Sequence, residues 1–392
     1  MLLEHYLSET VSFFAMTRMK HNPFLTILLR IGYTDDLLMH GLLSLSGAHM
    51  TYKDPDNFEL VTATRLHYSR LIGGLRSELT SLDHNDISKA DRLLRILLVA
   101  AHYEIVSGDT KGTMFNHLRA SRYLVQSLTS QNSIEIASTS DELRARGFCV
   151  ELYTYLVITN TITPYGTLAN RTLPLDTCIM SPDQISSFPT FGTMFAGSHE
   201  LYQLIPEVSL LASHRLTEET AGAIHPTASL RHTYDNIHNR VTSWEMPPPV
   251  QPGQEEGAED LRLKQSAAEV FRQGLYIFLA TALAGTIVSD PTLLSTIDQH
   301  LVKLFGHAQQ VIDSQYTVSL LWPIVVAGSC MVKTEHRLGL VRELERGAWK
   351  MKHLDNTINV LQLLWDDVDP RAYGPYGLYL IMDKHDLNLC LA

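Results

Sequence analysis

Apolar residues dominate the segment from Leu93 to Val106, which is hydrophobic almost all round when it is drawn as a helix. A helix of this kind belongs inside a bundle rather than on its surface. Gly108 predicts the end of the helix, because glycine enters the left-handed conformation without a Cβ penalty. Asp109 and Thr110 follow and offer side-chain oxygens to cap a second, amphipathic helix. The pattern predicts a helical hairpin whose first helix lies at the centre of the fold.

Helical spacing of apolar residues recurs along the rest of the chain, whereas the alternating pattern of strands is scarce. We therefore predict an all-α fold, an irregular antiparallel helical bundle or array of about 12–15 helices. No repeat of fixed length supports a regular solenoid. The predicted helices span 2–18, 23–31, 34–52, 57–80, 87–107, 111–129, 140–162, 190–212, 217–245, 260–287, 292–313, 317–332, 335–352 and 355–366.

Two segments interrupt the helical pattern. The segment 163–189 is rich in Pro, Thr, Ser and Asp and predicts an ordered connection over the surface. The segment 247–259, PPPVQPGQEEGAE, has the composition of a flexible loop. We predict one domain over 1–392 with two packed halves, roughly 1–246 and 260–392, joined by this Pro-rich and acidic loop.

The balance of charge argues against nucleic acid as a direct partner. The chain has 31 basic and 42 acidic residues, a net charge of −11 at pH 7. Such a chain lacks the basic footprint that supplies most nucleic-acid affinity, so we predict no direct DNA binding. The most hydrophobic run, Leu275 to Val288, has 14 residues, and spanning a bilayer takes about 20. With no secretory signal at Met1, we predict an intracellular protein without a membrane segment.

The sequence contains none of the common metal or nucleotide motifs. Its 18 histidines never form HxH, HxxxH or HExxH, and its 4 cysteines form no CxxC pair. A binuclear zinc cluster needs six closely spaced cysteines, so these residues cannot form one. GxSxG, GxGxxG and a glycine-rich phosphate loop are also absent. We predict no metal site and no cofactor.

A series of short blocks, in order along nearly the whole chain, resembles those of one known family. The blocks are Leu2–Leu7, Asn22–Phe24, His40–His49, His67–Arg76, Leu97–Leu124, Leu321–Gly328 and Val360–Asp369. With them the chain resembles the fungal-specific transcription factor domain of the second type, the regulatory domain of fungal zinc-cluster (Zn2Cys6) transcription factors. The resemblance implies a nuclear domain that dimerises, receives a signal and contacts the transcription machinery, while a zinc cluster reads DNA.

The chain departs from this family pattern because its residues include no zinc cluster. Met1 lies almost at the family domain's first helix, which leaves two expectations: a cluster upstream, or a stand-alone protein. A stand-alone protein would regulate as a homodimer or as a heterodimer with related regulators. The alternative function is a cytoplasmic enzyme recruited from this fold. It would be a cofactor-independent cyclase or isomerase that acts on a hydrophobic metabolite in fungal natural-product biosynthesis.

The candidate site residues are polar or aromatic side chains on predicted apolar helices. They are His102 and Glu104, then His117 and Arg119 on the next helix, and Tyr276 and Trp322 on C-terminal helices. In one interpretation Glu104 forms an ion pair with Arg119 or His117 and locks two helices together, since buried polar groups need partners. In the other, the six residues line a pocket between the hairpin and the C-terminal helices. That pocket would bind a hydrophobic small-molecule effector or substrate.

Overall fold

The computed structural model describes residues 1–83, 86–129, 139–161, 173, 176–180, 183–247, 257–346 and 351–391. Every regular element within these ranges is a helix and none is a strand, so the all-α prediction is confirmed. No helix in the described ranges has both the length and the apolar character that a bilayer crossing requires.

The chain divides into two compact units. Unit 1 comprises Met1–Val157, Asp176–Met194 and Trp349–Leu354, and unit 2 comprises Ile158–Leu175, Phe195–Ala348 and Asp355–Ala392. The division predicted from the sequence, at the loop 247–259, stays a prediction. Residues 248–256 of that loop, and much of the predicted connection 163–189, lie outside the described residues.

The longer helices of unit 1 are α1 (Leu2–Ser8), α2 (Asp36–Lys53), α3 (Phe58–Thr80), α4 (Ile87–Ser107), α5 (Thr113–Leu128) and α6 (Ser140–Thr159, which belongs to this unit up to Val157). Shorter elements complete the unit: 3-10 turns at Thr10–Phe13 and Met19–His21, a π-helical segment at Phe24–Leu29, and short helices at Arg30–Gly32, Thr177–Met180 and Asp183–Ser186.

Helix α4 lies at the centre of unit 1, as its pattern predicts. It packs against α2, α3 and α5, and its side chains from Leu93 to Ala101 are buried apart from Arg95. Gly108 ends the helix with φ 78° and ψ 45°. The N–H groups of Gly108 and Asp109 donate to the carbonyls of Ile105 and Glu104 at 3.0 and 2.8 Å, the Schellman arrangement that satisfies the last carbonyls of a helix.

The longer helices of unit 2 are α7 (Leu204–Thr220), α8 (Ala228–Ser243), α9 (Ala258–Ala284), α10 (Pro291–Val311), α11 (Leu321–Ser329), α12 (Thr334–Arg346), α13 (Lys352–Asp366, in this unit from Asp355) and α14 (Gly374–Lys384). A short helix at His199–Tyr202 and a 3-10 segment at Gln315–Leu320 accompany them. Helix α9 is the central element, since it packs against α7, α8, α10, α11 and α14. Gly274 permits the close approach of α9 and α11: a Cβ there would lie 2.8 Å from the Cβ of Pro323.

Several predicted helix boundaries are wrong. The helix predicted over 2–18 ends at Ser8 and is followed by a 3-10 turn. The helices predicted over 190–212 and 217–245 are instead α7 and α8, and the chain between them turns at Gly222, whose φ is 91°. Helix α14 was not predicted, because Gly374, Pro375 and Gly377 weaken a helical pattern read from sequence alone.

Candidate functional site

Glu104 and His117, which the sequence placed on neighbouring helices, come together in unit 1. Glu104 lies near the end of α4 and His117 in the first half of α5, and the turn between them brings the two side chains to one side of the hairpin. His117 Nε2 lies 3.8 Å from Glu104 Oε1. The hydroxyl of Tyr68, on α3, donates a hydrogen bond to the same carboxylate and lies 3.4 Å from His117 Nε2. We call Tyr68, Glu104 and His117 the hairpin cluster.

The environment of the hairpin cluster is buried and aromatic. The rings of Tyr68 and Tyr103 stack with their centroids 3.7 Å apart. Burial, together with the neighbouring Glu104 carboxylate, raises the pKa of Tyr68 well above its ordinary value, so the phenol keeps its proton and acts as a donor. The cluster therefore joins α3, α4 and α5 through one shared carboxylate.

The other two candidates in unit 1 lie outside this cluster. The Arg119 guanidinium donates to the Asn116 side chain at 2.8 Å on its own helix. His102 is buried between the rings of Phe14 and Phe24, whose centroids lie 5.4 and 5.3 Å from its own. Its Nδ1 lies 2.8 Å from the carbonyl oxygen of Leu98, and burial lowers its pKa to about 4. Residues two positions apart on an α-helix point to roughly opposite sides. His102 and Glu104 are such a pair, so their side chains do not converge.

Tyr276 and Trp322 belong to unit 2, where each has its own aromatic neighbours. The Tyr276 hydroxyl lies 2.9 Å from the hydroxyl of Thr242, and its ring stacks on that of His300 at 4.8 Å. Trp322 is buried and stacks on Phe271 with centroids 5.0 Å apart. The structure thus places four of the six candidates in unit 1 and two in unit 2. A single pocket shared by all six stays a prediction.

Replacing Tyr68 with phenylalanine is expected to lower the free energy of unfolding by about 1–3 kcal/mol, because the buried Glu104 carboxylate loses a donor. Urea unfolding followed by circular dichroism measures the change. Tyr33→Phe removes the same hydroxyl from a side chain that is 63% exposed and serves as the control, with no expected change. Equal effects of the two substitutions would show that the hydroxyl of Tyr68 contributes nothing.

A cavity of about 540 Å³ opens in unit 1 beside the start of α2, on a side of α4 that the sequence did not single out. The segment before α2, the helices α2 and α3, and the first half of α4 all contribute to its walls. Its lining residues are Ile31, Thr34, Asp35, Asp36, Leu37, His40, Gly74, Glu78, Arg92 and Arg95. We call this space the arginine cavity.

Arg92 is held on both sides by carboxylates. Its Nε and Nη2 donate to the two carboxylate oxygens of Asp35 at 2.6 and 2.9 Å, and its Nη1 donates to Glu78. Asp35 also caps α2 by accepting from the N–H groups of Leu37 and Leu38 at 3.1 and 3.2 Å. Burial acts to raise the pKa of Asp35, but these hydrogen bonds outweigh it and lower that pKa below its ordinary value. Two carboxylates therefore more than balance the charge of Arg92 within the cavity wall.

Arg95 follows one turn later on α4 and differs from Arg92 in its hydrogen bonding. Its Nε is buried and has no hydrogen-bond partner in the part of the chain that the structure describes. The carboxylate one turn before it, Asp91, is engaged by Arg146 through three hydrogen bonds of 2.6 to 3.0 Å. Arg95 consequently presents a cationic group at the cavity wall without a matching carboxylate bonded to it.

Two histidines meet at the edge of the arginine cavity. His40 on α2 and His67 on α3 approach with their Nδ1 atoms 2.8 Å apart, so one ring donates and the other accepts. Burial, followed by the proximity of His40, lowers the pKa of His67. Within the described ranges, no group of three or more His, Cys, Asp or Glu side chains is arranged to hold a metal ion.

The sequence carried a signal for this cavity that the prediction missed. Arg92 and Arg95 stand three positions apart on α4, so they lie on one face of the helix. Asp35 precedes a helical pattern at the position of an N-cap. That Asp35 faces Arg92 is a tertiary feature, which spacing along one helix does not reveal.

A comparison with protein families gives one match: the model described as the fungal specific transcription factor domain matches residues 1–392, the whole chain. No curated protein and no solved structure matches the chain.

Proposed function

Because the chain belongs to the family of fungal-specific transcription factor domains, we propose that it is the regulatory part of a fungal transcription regulator. In this role it receives a signal and passes it to the transcription machinery, while another part of the complex contacts DNA. The observation that carries the proposal is the family match over all 392 residues. The family supports a regulatory role. That this chain receives the signal while another part of the complex contacts DNA is our inference.

The charge of the chain supports a role away from DNA. Its 42 acidic residues outnumber its 31 basic ones, whereas duplex binding depends largely on basic side chains that neutralise phosphates. We propose that promoter contact comes from a zinc cluster, either on the same polypeptide or on a partner with which this chain forms a dimer. The regulator would then work in the nucleus.

The alternative function, a cyclase or isomerase for a hydrophobic metabolite, has less support. The sequence assigned it no catalytic residues. Glu104 and His117, the candidate pocket residues that form an acid and a base side by side, both belong to the hairpin cluster, where Tyr68 shares the carboxylate. General acid–base catalysis needs groups that reach the substrate. These two side chains are buried, and their contacts with each other and with Tyr68 fit a structural role better.

Joining residues 1–392 to an unrelated DNA-binding domain is expected to change transcription of a reporter that carries the matching operator. The control is the DNA-binding domain alone, expressed to the same level in the same fungal host. A reporter that responds identically to both proteins would contradict the proposed regulatory role.

The isolated chain is expected to show no sequence-specific binding to duplex DNA near physiological salt. A mobility-shift assay at two salt concentrations tests this, because weak binding through phosphates fades as salt rises. A sequence-specific shift of the DNA that persists at the higher salt concentration would overturn the proposal that another part of the complex contacts DNA.

A further inference from the structure

We propose that the arginine cavity of unit 1 binds a small monocarboxylate with an apolar body, and that the guanidinium of Arg95 holds its carboxylate. The proposal that the acid binds rests on the geometry of the cavity. The further proposal, that the bound acid is the effector of the regulator, rests on the proposed function.

The charged residues around the cavity differ in how they are paired. Arg92 is matched by Asp35 and Glu78, and Asp91 by Arg146. Arg95 forms no such ion pair with a described residue, and its Nε is an orphan donor in a buried position. Buried polar groups in folded proteins are almost always paired, and a guanidinium presents its donors in a fork that matches a carboxylate. The Arg95 side chain lines the cavity, so a ligand carboxylate bound there pairs with the charge of its guanidinium.

The carboxylates of the lining limit the number of negative charges that a ligand can carry. Asp35, Asp36 and Glu78 also line the cavity. Their carboxylates repel a ligand that carries a second negative charge, so a phosphate dianion or a dicarboxylate is disfavoured relative to a monoanion. Two arginines and three carboxylates line the cavity, so the attraction for a monoanion is confined to the Arg95 guanidinium.

The size of the cavity and its apolar walls indicate what the rest of the ligand looks like. The space of about 540 Å³ is far larger than a lone inorganic anion needs, and it is largely open to solvent, so a small organic molecule can enter it. Ile31 and Leu37 offer apolar surface. Gly74 lets α3 approach Leu37 closely, since a Cβ at that position would lie 2.6 Å from a methyl group of Leu37. These walls suit a hydrocarbon body next to the carboxylate.

Isothermal titration of the full chain with sodium hexanoate, hexanamide and inorganic phosphate tests the class of ligand. Hexanamide keeps the shape of hexanoate without its charge. We expect hexanoate to bind at least about tenfold more tightly than hexanamide, as a charge-assisted hydrogen bond outweighs a neutral one. Phosphate is expected to bind more weakly than hexanoate.

Two substitutions test the place of binding. Arg95→Gln is expected to weaken hexanoate binding by about tenfold or more. Tm is expected to fall only slightly, because the charge of Arg95 acts to lower the pKa of the buried Asp91 while its Nε has no hydrogen-bond partner among the described residues. Arg76→Gln removes the same charge from an exposed position on α3 and is expected to leave both quantities unchanged. Thr34→Trp, at an exposed position on the wall, is expected to fill the cavity and block hexanoate without altering any charge.

Three results would overturn the proposal: no heat of binding with hexanoate up to its solubility limit, equal affinities for hexanoate and hexanamide, or the same hexanoate affinity in Arg95→Gln as in the parent. Phosphate that binds more tightly than hexanoate, and depends on Arg95, would replace the monocarboxylate with an inorganic anion. The titrations involve neither DNA nor a reporter. A failed ligand proposal therefore leaves the fusion experiment on regulatory function unaffected.

Discussion

Replacing Arg146 with methionine is expected to lower the free energy of unfolding by about 3–5 kcal/mol, the largest effect of a single substitution considered for this chain. Arg146 on α6 and Asp91 on α4 form a buried ion pair, with side chains 3% and 8% exposed. The Arg146 Nε lies 3.0 Å from both carboxylate oxygens of Asp91, and its Nη2 lies 2.6 Å from one of them. Methionine fills a similar volume but leaves the carboxylate buried and unpaired.

The pKa of Asp91 also supports the expected loss of stability. Burial raises it above the ordinary value even though Arg146 acts to lower it. Without Arg146 the pKa rises further, so the folded state holds the proton that the unfolded state releases. The penalty of Arg146→Met is therefore largest at neutral pH and shrinks as the pH falls toward the ordinary pKa of an aspartate.

Urea unfolding at pH 7 and at pH 5 measures both effects. Arg144→Met is the matched control, since Arg144 is an exposed residue on the same helix and undergoes the same change. The double substitution Asp91→Leu with Arg146→Met is expected to recover most of the lost stability, because it leaves no buried charge behind. Equal losses for Arg144→Met and Arg146→Met would show that the pair is not what stabilises the packing of α4 and α6.

The elements that sequence predicted well are those whose signals are local. Helix α4 has a cap at Asp86, an apolar interior and a glycine at Gly108, and each signal points to the same boundaries, Ile87–Ser107. Helix α10 begins after the cap of Asp290 with Pro291 at its first position, which is also a local signal. Agreement among cap, pattern and stop residue is what made these predictions accurate.

Elements that depend on tertiary contacts were predicted poorly. Helix α14 forms despite Gly374, Pro375 and Gly377, and it packs against α9 and α11. Burial of Leu378 and Ile381 compensates for the weak local preference of this segment. Such compensation comes from residues far away in the sequence, so spacing within the segment does not reveal it.

The candidate site residues show the same difference between local and tertiary signals. Glu104 and His117 meet because a single hairpin joins them, and their pairing was one of the two interpretations offered by the sequence. The arginine cavity instead needs α2, α3 and α4 to lie side by side, so its residues come from positions 31 to 95. The sequence places Arg92 and Arg95 on one face of α4, yet only the packed helices show that Arg92 bonds two carboxylates while the Nε of Arg95 has no hydrogen-bond partner among the described residues.

Glu151 carries the second large expected effect, a loss of stability as the pH rises from about 5 to 8. Its side chain is buried in α6, and one carboxyl oxygen accepts a hydrogen bond from the N–H of Met194 at 2.6 Å. The other oxygen is buried without a hydrogen-bond partner among the described residues. Burial raises the pKa of Glu151 to about 8, against an ordinary value of 4.5, although the backbone donors act to lower it.

The sign of the pH effect follows from these two values. Between pH 4.5 and about 8 the folded protein keeps the proton on Glu151, whereas the unfolded chain releases it. The stabilising contribution of the neutral group is complete below the lower value and is lost as the pH rises toward the higher one. Within that window the loss approaches about 1.4 kcal/mol per pH unit, which amounts to a few kcal/mol in total.

Glu151→Gln is expected to abolish this dependence, because glutamine keeps an oxygen that accepts from Met194 and has no proton to release. Urea unfolding at half-unit steps from pH 5 to pH 8, on the parent and the variant, gives the two slopes. The variant should be the more stable protein at pH 8 and should approach the parent near pH 5. Glu59→Gln, at an exposed position on α3, is the control and should leave the parent's slope unchanged. Parallel curves for Glu151→Gln and the parent would mean that Glu151 is ionised in the folded protein, and the neutral buried carboxyl would have to be abandoned.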